Sequence, residues 1–323
     1  MAAEQHDFRT NVPQDWCPGC GDYGILAAAQ SALKELGVPV GRLAIFSGIG
    51  CHGKIAHFLN VSGVHTLHGR SLPFAVGAKL ANPSLEILCF AGDGDGLGIG
   101  ASHFVHAGRR NVDLTYVIHD NGVYGLTKGQ ASPTLHLGTQ TKSLPQPNIN
   151  AGLNPLALAM VSGATFVARS YAFDMRHLKD MLKRAVAHRG FAVLDVLQPC
   201  PTYNDVNTRA WYAGDDRKDP MTQRPIPRVQ RLDSPAWDPV VPEHASPEVS
   251  ARKLVAALEK VLDPGENLPI GVFYENLDTP SYTDRIVGRI PFYRAIPPAF
   301  QPLRDATGNP LAELTTILDS LRA

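Results

Sequence analysis

The sequence lacks an excess of charge of either sign. Its 30 lysines and arginines balance 30 aspartates and glutamates, so composition gives no electrostatic reason to expect nucleic acid or a membrane surface as a partner. No apolar run reaches the roughly 18 residues that a membrane span requires. The first seven residues carry neither the basic nor the apolar region of a secretion signal, which predicts a cytoplasmic protein.

Charged residues and cysteines are both scarce. Only 19% of the residues are charged and 44% are hydrophobic, which predicts a well-filled core and a large interface with a partner protein. The five cysteines are an odd number. Such a set favours a reduced compartment, where thiols serve chemistry and not a disulfide framework.

Residues 85–124 contain a strand, a glycine-rich turn, a helix and a second strand in succession. An apolar run of strand length at residues 85–91 ends in a glycine-rich acidic turn at residues 92–100. A helix of small residues then extends to about Asn111, and a second apolar strand follows at residues 113–119. This order of elements is a βαβ unit, which predicts an open sheet of parallel strands.

Two polar residues, Asp93 and Asn121, each come just after one of these strands. In an open parallel sheet, ligands bind outside the carboxyl ends of the strands, so both side chains are expected in the ligand crevice. They are hard oxygen ligands. With a backbone carbonyl, a water and two phosphate oxygens, they would complete the octahedron that magnesium requires on a diphosphate.

The glycine-rich turn at residues 92–100 has two other interpretations. Gly96, Gly98 and Ala101 fit the permissive form of a dinucleotide-binding fingerprint, with Asp120 as the acid for a ribose. Against this, the carboxylate of Asp93 would repel a pyrophosphate unless a cation lay between them. The other interpretation is an acidic glycine turn that binds no ligand.

Four of the five cysteines lie in segments rich in glycine or proline. They are Cys17, Cys20, Cys51 and Cys200, whereas Cys89 lies within an apolar strand and is predicted to be a small core residue. Four loop thiolates suit either zinc or an iron–sulfur cluster. Their spacing alone does not separate these two, because both accept four cysteines that are distant in sequence.

Flanking segments extend the alternation of strands and helices. We predict helices at residues 22–36, 73–80, 174–190 and 247–262 and from about Leu311, and strands at residues 42–46, 64–67, 165–168, 191–197 and 270–274. A charged, proline-rich stretch follows residue 202 and continues to about Ser246, as expected of an extended arm. The histidines His52, His57, His65, His103, His106 and His119 are predicted to be surface or hydrogen-bonded core residues.

Six separate motifs resemble the β subunit of the 2-oxoacid:ferredoxin oxidoreductases, which depend on thiamine diphosphate (TPP). They are Cys17-Pro-Gly-Cys20-Gly, Ser47-Gly-Ile-Gly-Cys51-His-Gly-Lys54, His68-Gly-Arg70, Gly92-Asp-Gly-Asp95, Asn121-Gly-Val-Tyr-Gly-Leu-Thr-Lys-Gly-Gln130 and Pro199-Cys-Pro201. The likeness covers residues 16–202 in order. In particular, Gly-Asp-Gly, 26 residues and then Asn121 resembles the TPP motif.

The resemblance implies a doubly wound α/β fold with a mostly parallel sheet. Residues 1–200 would form the domain that binds TPP, Mg²⁺ and one 4Fe-4S cluster, and residues 201–323 an arm with a small helical extension for contacts between subunits. The 323 residues supply only the diphosphate half of a TPP site. An α subunit with the pyrimidine domain is therefore implied, in a heterodimer or a dimer of heterodimers.

The resemblance also assigns roles to individual residues. Cys17, Cys20, Cys51 and Cys200 would bind the 4Fe-4S cluster, while Asp93, Asn121 and the carbonyl of Val123 would bind Mg²⁺. The cofactor would contact Gly48, Ile49, Gly50, Cys51, His68, Gly92, Asp93, Gly94, Asp95, Asn121, Tyr124, Gly125, Leu126 and Thr127. Lys128 and His68 are the expected catalytic residues, and Lys128 would attract a second carboxylate of the substrate.

The implied reaction is the oxidative decarboxylation of a 2-oxoacid with transfer of the acyl group to coenzyme A. We expect 2-oxoglutarate and succinyl-CoA, with reductive carboxylation as the reverse direction, and single electrons passing through the cluster to ferredoxin. Specificity for pyruvate or for many 2-oxoacids is an alternative. Two further alternatives are a TPP decarboxylase subunit with structural zinc and a non-catalytic iron–sulfur protein that retains the fold.

Overall fold

The computed structural model describes residues 6–263, 265–311 and 315–321. Its strands are β1 (Leu43–Ser47), β2 (Ser62–His65), β3 (Glu86–Gly92), β4 (Leu114–Asp120), β5 (Val123–Tyr124), β6 (Gln130–Ala131), β7 (Phe166–Tyr171), β8 (Phe191–Leu197), β9 (Val229–Arg231), β10 (Val240–Val241) and β11 (Leu268–Asn276). The main sheet has the order β10-β11-β7-β8-β4-β3-β1-β2, and β9 also pairs with β11.

The helices alternate with these strands along the first two thirds of the chain. They are α1 (Asp22–Leu36), α2 (Ile55–Phe58), α3 (Ser71–Ala81), α4 (Ala101–Arg110), α5 (Pro155–Ser162), α6 (Met175–Ala187), α7 (Arg209–Ala213), α8 (Pro247–Leu262), α9 (Tyr282–Arg289) and α10 (Thr315–Ser320). The predicted terminal helix includes residues 312–314, which lie outside the described residues. No helix in the described ranges combines the length and hydropathy that a bilayer crossing demands.

The predicted βαβ unit forms the centre of the sheet. Strand β3 pairs in parallel with β1 on one side and β4 on the other, and β4 pairs in parallel with β8. Their apolar runs are buried almost throughout, as is typical of strands that are covered on both faces. One apolar layer involves α1 and α6, and the other involves α3, α4, α5 and α8. The predicted doubly wound α/β fold is confirmed.

The C-terminal region, predicted to be an extended arm with a small helical extension, also contributes strands to the main sheet. Strand β11 pairs antiparallel with β7, while β9 and β10 pair in parallel with β11. Side chains of α8 and β11, among them Ala257, Val261 and Phe273, belong to the same buried cluster as the central strands. Residues 201–276 therefore extend the sheet and core formed by the first 200 residues.

Candidate cofactor site

A cavity of about 250 Å³ opens at the carboxyl ends of the parallel strands. The segments that follow β1, β3 and β4 supply most of its lining. The lining residues are Ile49, Gly50, Cys51, His52, His68, Gly92, Asp93, Gly94, Asp95, His119, Asn121, Val123, Tyr124, Gly125, Leu126 and Thr127. The structure thus brings together the residues predicted to contact the cofactor, except Gly48, which lies behind Asp95.

The carboxylate of Asp93 is buried at the end of β3 and is held by donors from the loop after β4. Its Oδ2 accepts a hydrogen bond of 3.0 Å from the N–H of Gly122 and further bonds from the hydroxyls of Ser132 and Thr134. The Thr134 hydroxyl also lies 2.7 Å from Oδ1 of Asp120. One hydroxyl proton serves only one acceptor, so two carboxyl groups compete for it.

This competition makes the loop a suitable place for a cation. Burial raises the pKa of Asp93, and burial together with the charge of Asp93 raises the pKa of Asp120 to about 7. A divalent cation would favour the ionised form of both carboxyl groups. The side chain of Asn121 also lines the cavity, and its Oδ1 accepts a bond of 3.0 Å from the N–H of Val123. These residues fit the predicted magnesium site.

The second acid of the glycine-rich turn, Asp95, joins three loops around the cavity. Its Oδ1 accepts hydrogen bonds from the N–H groups of Gly69 (2.7 Å) and Ile49 (3.1 Å), and Nδ1 of His68 lies 2.9 Å away. Burial opposes ionisation of Asp95, but His52 and these N–H donors outweigh it, so its pKa lies below the usual value. Asp95 therefore fixes the positions of Ile49 and His68.

Asp95 approaches the backbone of Gly48 so closely that a side chain there has no room. A Cβ on Gly48 would lie 1.9 Å from Asp95 Oδ2, whereas a Cβ on Gly41 would meet nothing within 4 Å. We expect Gly48→Ala to destabilise the chain by about 1–3 kcal/mol, as overpacking does, and Gly41→Ala to change stability little. Denaturant unfolding of the two variants measures this, and equal midpoints would contradict the packing described.

Two histidines of the cavity, His52 and His119, are absent from the predicted cofactor contacts. Both are buried, and Nδ1 of His119 lies 2.7 Å from Oδ1 of Asp22. The prediction of a hydrogen-bonded core histidine is therefore right for His119, yet this residue also lines the cavity. Its Nε2 has no hydrogen-bond partner among the described residues. The sequence contained one indication that His119 would line the cavity, because His119 lies near the end of β4, two residues before Asn121.

The four loop cysteines gather beside the cavity. The sulfurs of Cys51 and Cys200 lie 3.5 and 3.8 Å from the position that a Cβ on Gly125 would occupy. Cys200 is also close enough to Cys20, and Cys17 to Cys51, for their charges to influence the neighbouring thiols. The fifth cysteine, Cys89, is fully buried in the core, which confirms the prediction made for it.

The environment of these thiols suits a group that stabilises thiolates. Burial raises the pKa of Cys20 and Cys200, and it raises the pKa of Cys51 to about 11. A metal or cluster would offset this effect, because it binds the deprotonated sulfur. Within the described ranges, no three His, Cys, Asp or Glu side chains stand close enough to hold one metal ion. Both zinc and an iron–sulfur cluster bind cysteine as the thiolate.

Lys128, a predicted catalytic residue, is not among the residues that line the cavity. Its side chain is exposed, and its backbone adopts a left-handed conformation with φ of 84°. The N–H of Lys128 donates to the carbonyl of Gly125 at 3.2 Å, which closes the turn. A side chain rarely occupies this backbone region, and such strain is concentrated at functional sites.

Two family models match this chain. Residues 48–196 match the family model described as "Thiamine pyrophosphate enzyme, C-terminal TPP binding domain". Residues 226–289 match the family model for the C-terminal part of the pyruvate ferredoxin oxidoreductase beta chain. The second match covers β9, β10, α8, β11 and α9, all of which lie beyond the last sequence motif.

Relatives of known identity align over nearly the whole chain. The 2-oxoacid:ferredoxin oxidoreductase subunit beta of Saccharolobus solfataricus is 53% identical over 95% of this chain and 96% of its own length. Subunit beta of 2-oxoacid:ferredoxin oxidoreductase 1 of Aeropyrum pernix is 51% identical over 94% of this chain and 91% of its own length. One solved structure is a 2-oxoglutarate:ferredoxin oxidoreductase from Magnetococcus marinus with 2-oxoglutarate, coenzyme A and succinyl-CoA bound. It superimposes with a TM-score of 0.76 at 32% identity, and the match covers 98% of this chain and 95% of that chain. The chain therefore belongs to the family of 2-oxoacid:ferredoxin oxidoreductase β subunits.

Proposed function

We propose that this subunit binds the diphosphate of TPP through Mg²⁺ and carries one 4Fe-4S cluster. It would act in an enzyme that oxidatively decarboxylates a 2-oxoacid and forms an acyl-CoA. One observation carries the proposal: a single cavity is lined by Asp93, Asn121 and Cys51. The residues proposed to bind Mg²⁺ and one residue proposed to bind the cluster thus line the same cavity.

The protein side of the cofactor site follows from its hydrogen bonds. Asp93, Asn121 and the carbonyl of Val123 would hold Mg²⁺, and the hydroxyls of Ser132 and Thr134 would orient the Asp93 carboxylate. Bound TPP supplies the carbanion chemistry that decarboxylation of a 2-oxoacid needs. Tyr124 to Thr127 and Ile49 to Cys51 form walls of the cavity that position it and exclude water.

The path from the cavity to the cysteines is short. Cys51 and Gly125 both line the cavity, and the sulfurs of Cys51 and Cys200 lie 3.5 and 3.8 Å from the position that a Cβ on Gly125 would occupy. With Cys17 and Cys20 they would bind the cluster. Electrons leaving a substrate in this cavity would have only a short distance to cross to the cluster, and they would pass from the cluster to ferredoxin.

The same proposal includes an α subunit that covers the cavity and completes it with the pyrimidine half of the TPP site. Support comes from apolar side chains at or near the rim, where Ile49, Leu67 and Leu126 are 37%, 69% and 50% exposed. Exposed apolar groups of this kind suit a protein interface. Residues 201–323 would add contacts between the subunits, with Phe292 and Phe300 also exposed. We further propose a cytoplasmic location, because none of the five cysteines, all of which lie within the described residues, forms a disulfide.

For the substrate we propose 2-oxoglutarate, which is bound in the Magnetococcus marinus structure. Its distal carboxylate must leave water in the pocket and requires a cation there. Lys128 would supply that cation once the pocket is completed by the α subunit, because its loop runs from the cavity residues Leu126 and Thr127. Pyruvate preference or broad specificity is the alternative, and the generic 2-oxoacid names of the relatives are compatible with it.

We expect Lys128→Ala to reduce the preference of the assembled enzyme for 2-oxoglutarate over pyruvate. Losing one charged hydrogen bond should remove about 1.5–3 kcal/mol of discrimination, chiefly by weakening the dicarboxylate. The measurement is kcat/KM for both substrates with a viologen acceptor. Lys128→Arg is the matched control, because arginine keeps the positive charge and, like lysine, is a non-glycine residue at this left-handed backbone position. A wild type that prefers pyruvate, or an equal loss for both substrates, would exclude Lys128 as the selector.

Two experiments test the function itself. The complex reconstituted with its α subunit should reduce viologen only when a 2-oxoacid, coenzyme A and Mg·TPP are all present. The absence of any such turnover would support a non-catalytic protein. Iron and acid-labile sulfide should both be present in the purified complex, and zinc without sulfide would support a TPP decarboxylase subunit with a structural metal.

A further inference from the structure

Gln198 lies between the two halves of the site and has no role in the function proposed so far. It follows β8, its N–H donates to the carbonyl of Asp120 at 2.8 Å, and its side chain is buried. The next residue, Pro199, accepts a hydrogen bond of 3.2 Å from the N–H of Gly21. The end of β8 is thereby attached both to the end of β4 and to the turn that precedes α1.

The side-chain amide of Gln198 contacts one predicted ligand of each metal group. Its Oε1 accepts a hydrogen bond of 2.6 Å from Nδ2 of Asn121, and its Nε2 donates to Sγ of Cys20 at 3.2 Å. The same Nε2 donates to the carbonyl of Pro199 at 3.1 Å. A carbonyl only accepts hydrogen bonds, so Pro199 fixes which end of the amide faces Cys20.

The turn beside Cys20 is shaped to admit this amide. A Cβ on Gly21 would lie 2.8 Å from Cγ of Gln198. Glycine after the second cysteine of the Cys17–Cys20 pair is therefore needed for Gln198 to reach the sulfur. The contact between Gln198 and Cys20 spans 178 residues of sequence, which is why no local pattern revealed it.

We propose that Gln198 is a positioning residue that serves the magnesium site and the iron–sulfur cluster together. By holding Nδ2 of Asn121, it fixes the orientation of an amide whose Oδ1 accepts from the N–H of Val123 and would also bind the metal. By donating an N–H to Cys20, it stabilises the more negative, reduced cluster and raises its reduction potential. One neutral amide thus couples the binding of Mg·TPP to the redox properties of the cluster. The inference rests on the function proposed above.

The test compares Gln198→Met, Gln198→Glu and the surface control Gln230→Met in the complex assembled with the α subunit. Three quantities are measured: iron per chain, the dissociation constant of Mg·TPP and the midpoint potential of the cluster. Gln198→Met removes both hydrogen bonds at similar side-chain length. We expect its Mg·TPP binding to weaken by about 10- to 100-fold, as with other supporting residues of metal sites, and its potential to become more negative.

Gln198→Glu separates the two effects and serves also if Gln198→Met fails to fold. Its carboxyl group still accepts from Asn121 but offers no N–H to Cys20, so the potential should fall while Mg·TPP binds more tightly than in Gln198→Met. If either folded variant keeps both wild-type values, the proposal is overturned. Absence of iron or Mg·TPP binding in the wild type would instead overturn the proposed function.

Discussion

Replacing Asp93 by alanine is expected to remove Mg·TPP binding from the assembled complex and to leave its iron content unchanged. Asp93 is the buried carboxylate at the end of β3, and in the proposed site the anionic diphosphate would reach it only through the metal. Removing one partner of a buried charged contact costs about 2–5 kcal/mol of binding free energy. Titration with TPP at fixed Mg²⁺, monitored calorimetrically, measures the loss.

Two further variants make this result specific. Asp93→Asn keeps the size of the side chain and an oxygen for the N–H of Gly122, so it should fold as the wild type does and still bind Mg·TPP weakly. Asp180→Ala removes an exposed acid of α6 and should leave TPP affinity unchanged. Wild-type TPP affinity in the Asp93 variants would refute the magnesium assignment.

Serine at any of the four loop cysteines is expected to abolish the 4Fe-4S cluster. Cys51 and Cys200 lie beside Gly125, Cys20 is near Cys200 and Cys17 is near Cys51, and each would bind one iron of the cluster. Iron per chain should therefore fall from about four atoms to a small fraction of that value, because a serine oxygen is a poor substitute for thiolate. The brown colour and acid-labile sulfide should fall with it.

Cys89→Ser is the matched control in this series. Cys89 lies within β3, fully buried in the opposite apolar layer, and should keep its full iron content. Full iron in any of the four loop variants, or loss of iron in Cys89→Ser, would show that the ligand set is wrong. If all five variants bound the same amount of zinc and no iron, none of the five cysteines would be a required metal ligand.

The centre of the fold could be predicted because its signals are local. The apolar runs of β3 and β4 and the turn after β3 are contiguous in sequence, and strand ends of a parallel sheet meet at one edge. This geometry alone placed Asp93 and Asn121 in one crevice. Helix α1 was predicted with its observed bounds, because its apolar stripe ends at Gly37, whose φ of 65° forms the cap.

The remainder depends on contacts between distant parts of the chain. Strand β11 was expected near residues 270–274, but its antiparallel partner β7 lies about a hundred residues earlier and no local pattern indicates it. The roles of His119 and Gln198 depend on Asp22 and Cys20, 97 and 178 residues away. Lys128 was placed near the metal ligands by sequence, while the left-handed turn at this residue leaves its side chain exposed.

The most direct measurement is electron paramagnetic resonance of the complex assembled with its α subunit, frozen after addition of 2-oxoglutarate. The proposed function predicts a reduced 4Fe-4S signal that requires Mg·TPP and disappears in Asp93→Ala, although chemical reductant still produces it in that variant. A cluster signal independent of Mg·TPP, or no cluster signal even with chemical reductant, would contradict the claim that this subunit joins TPP chemistry to an iron–sulfur cluster.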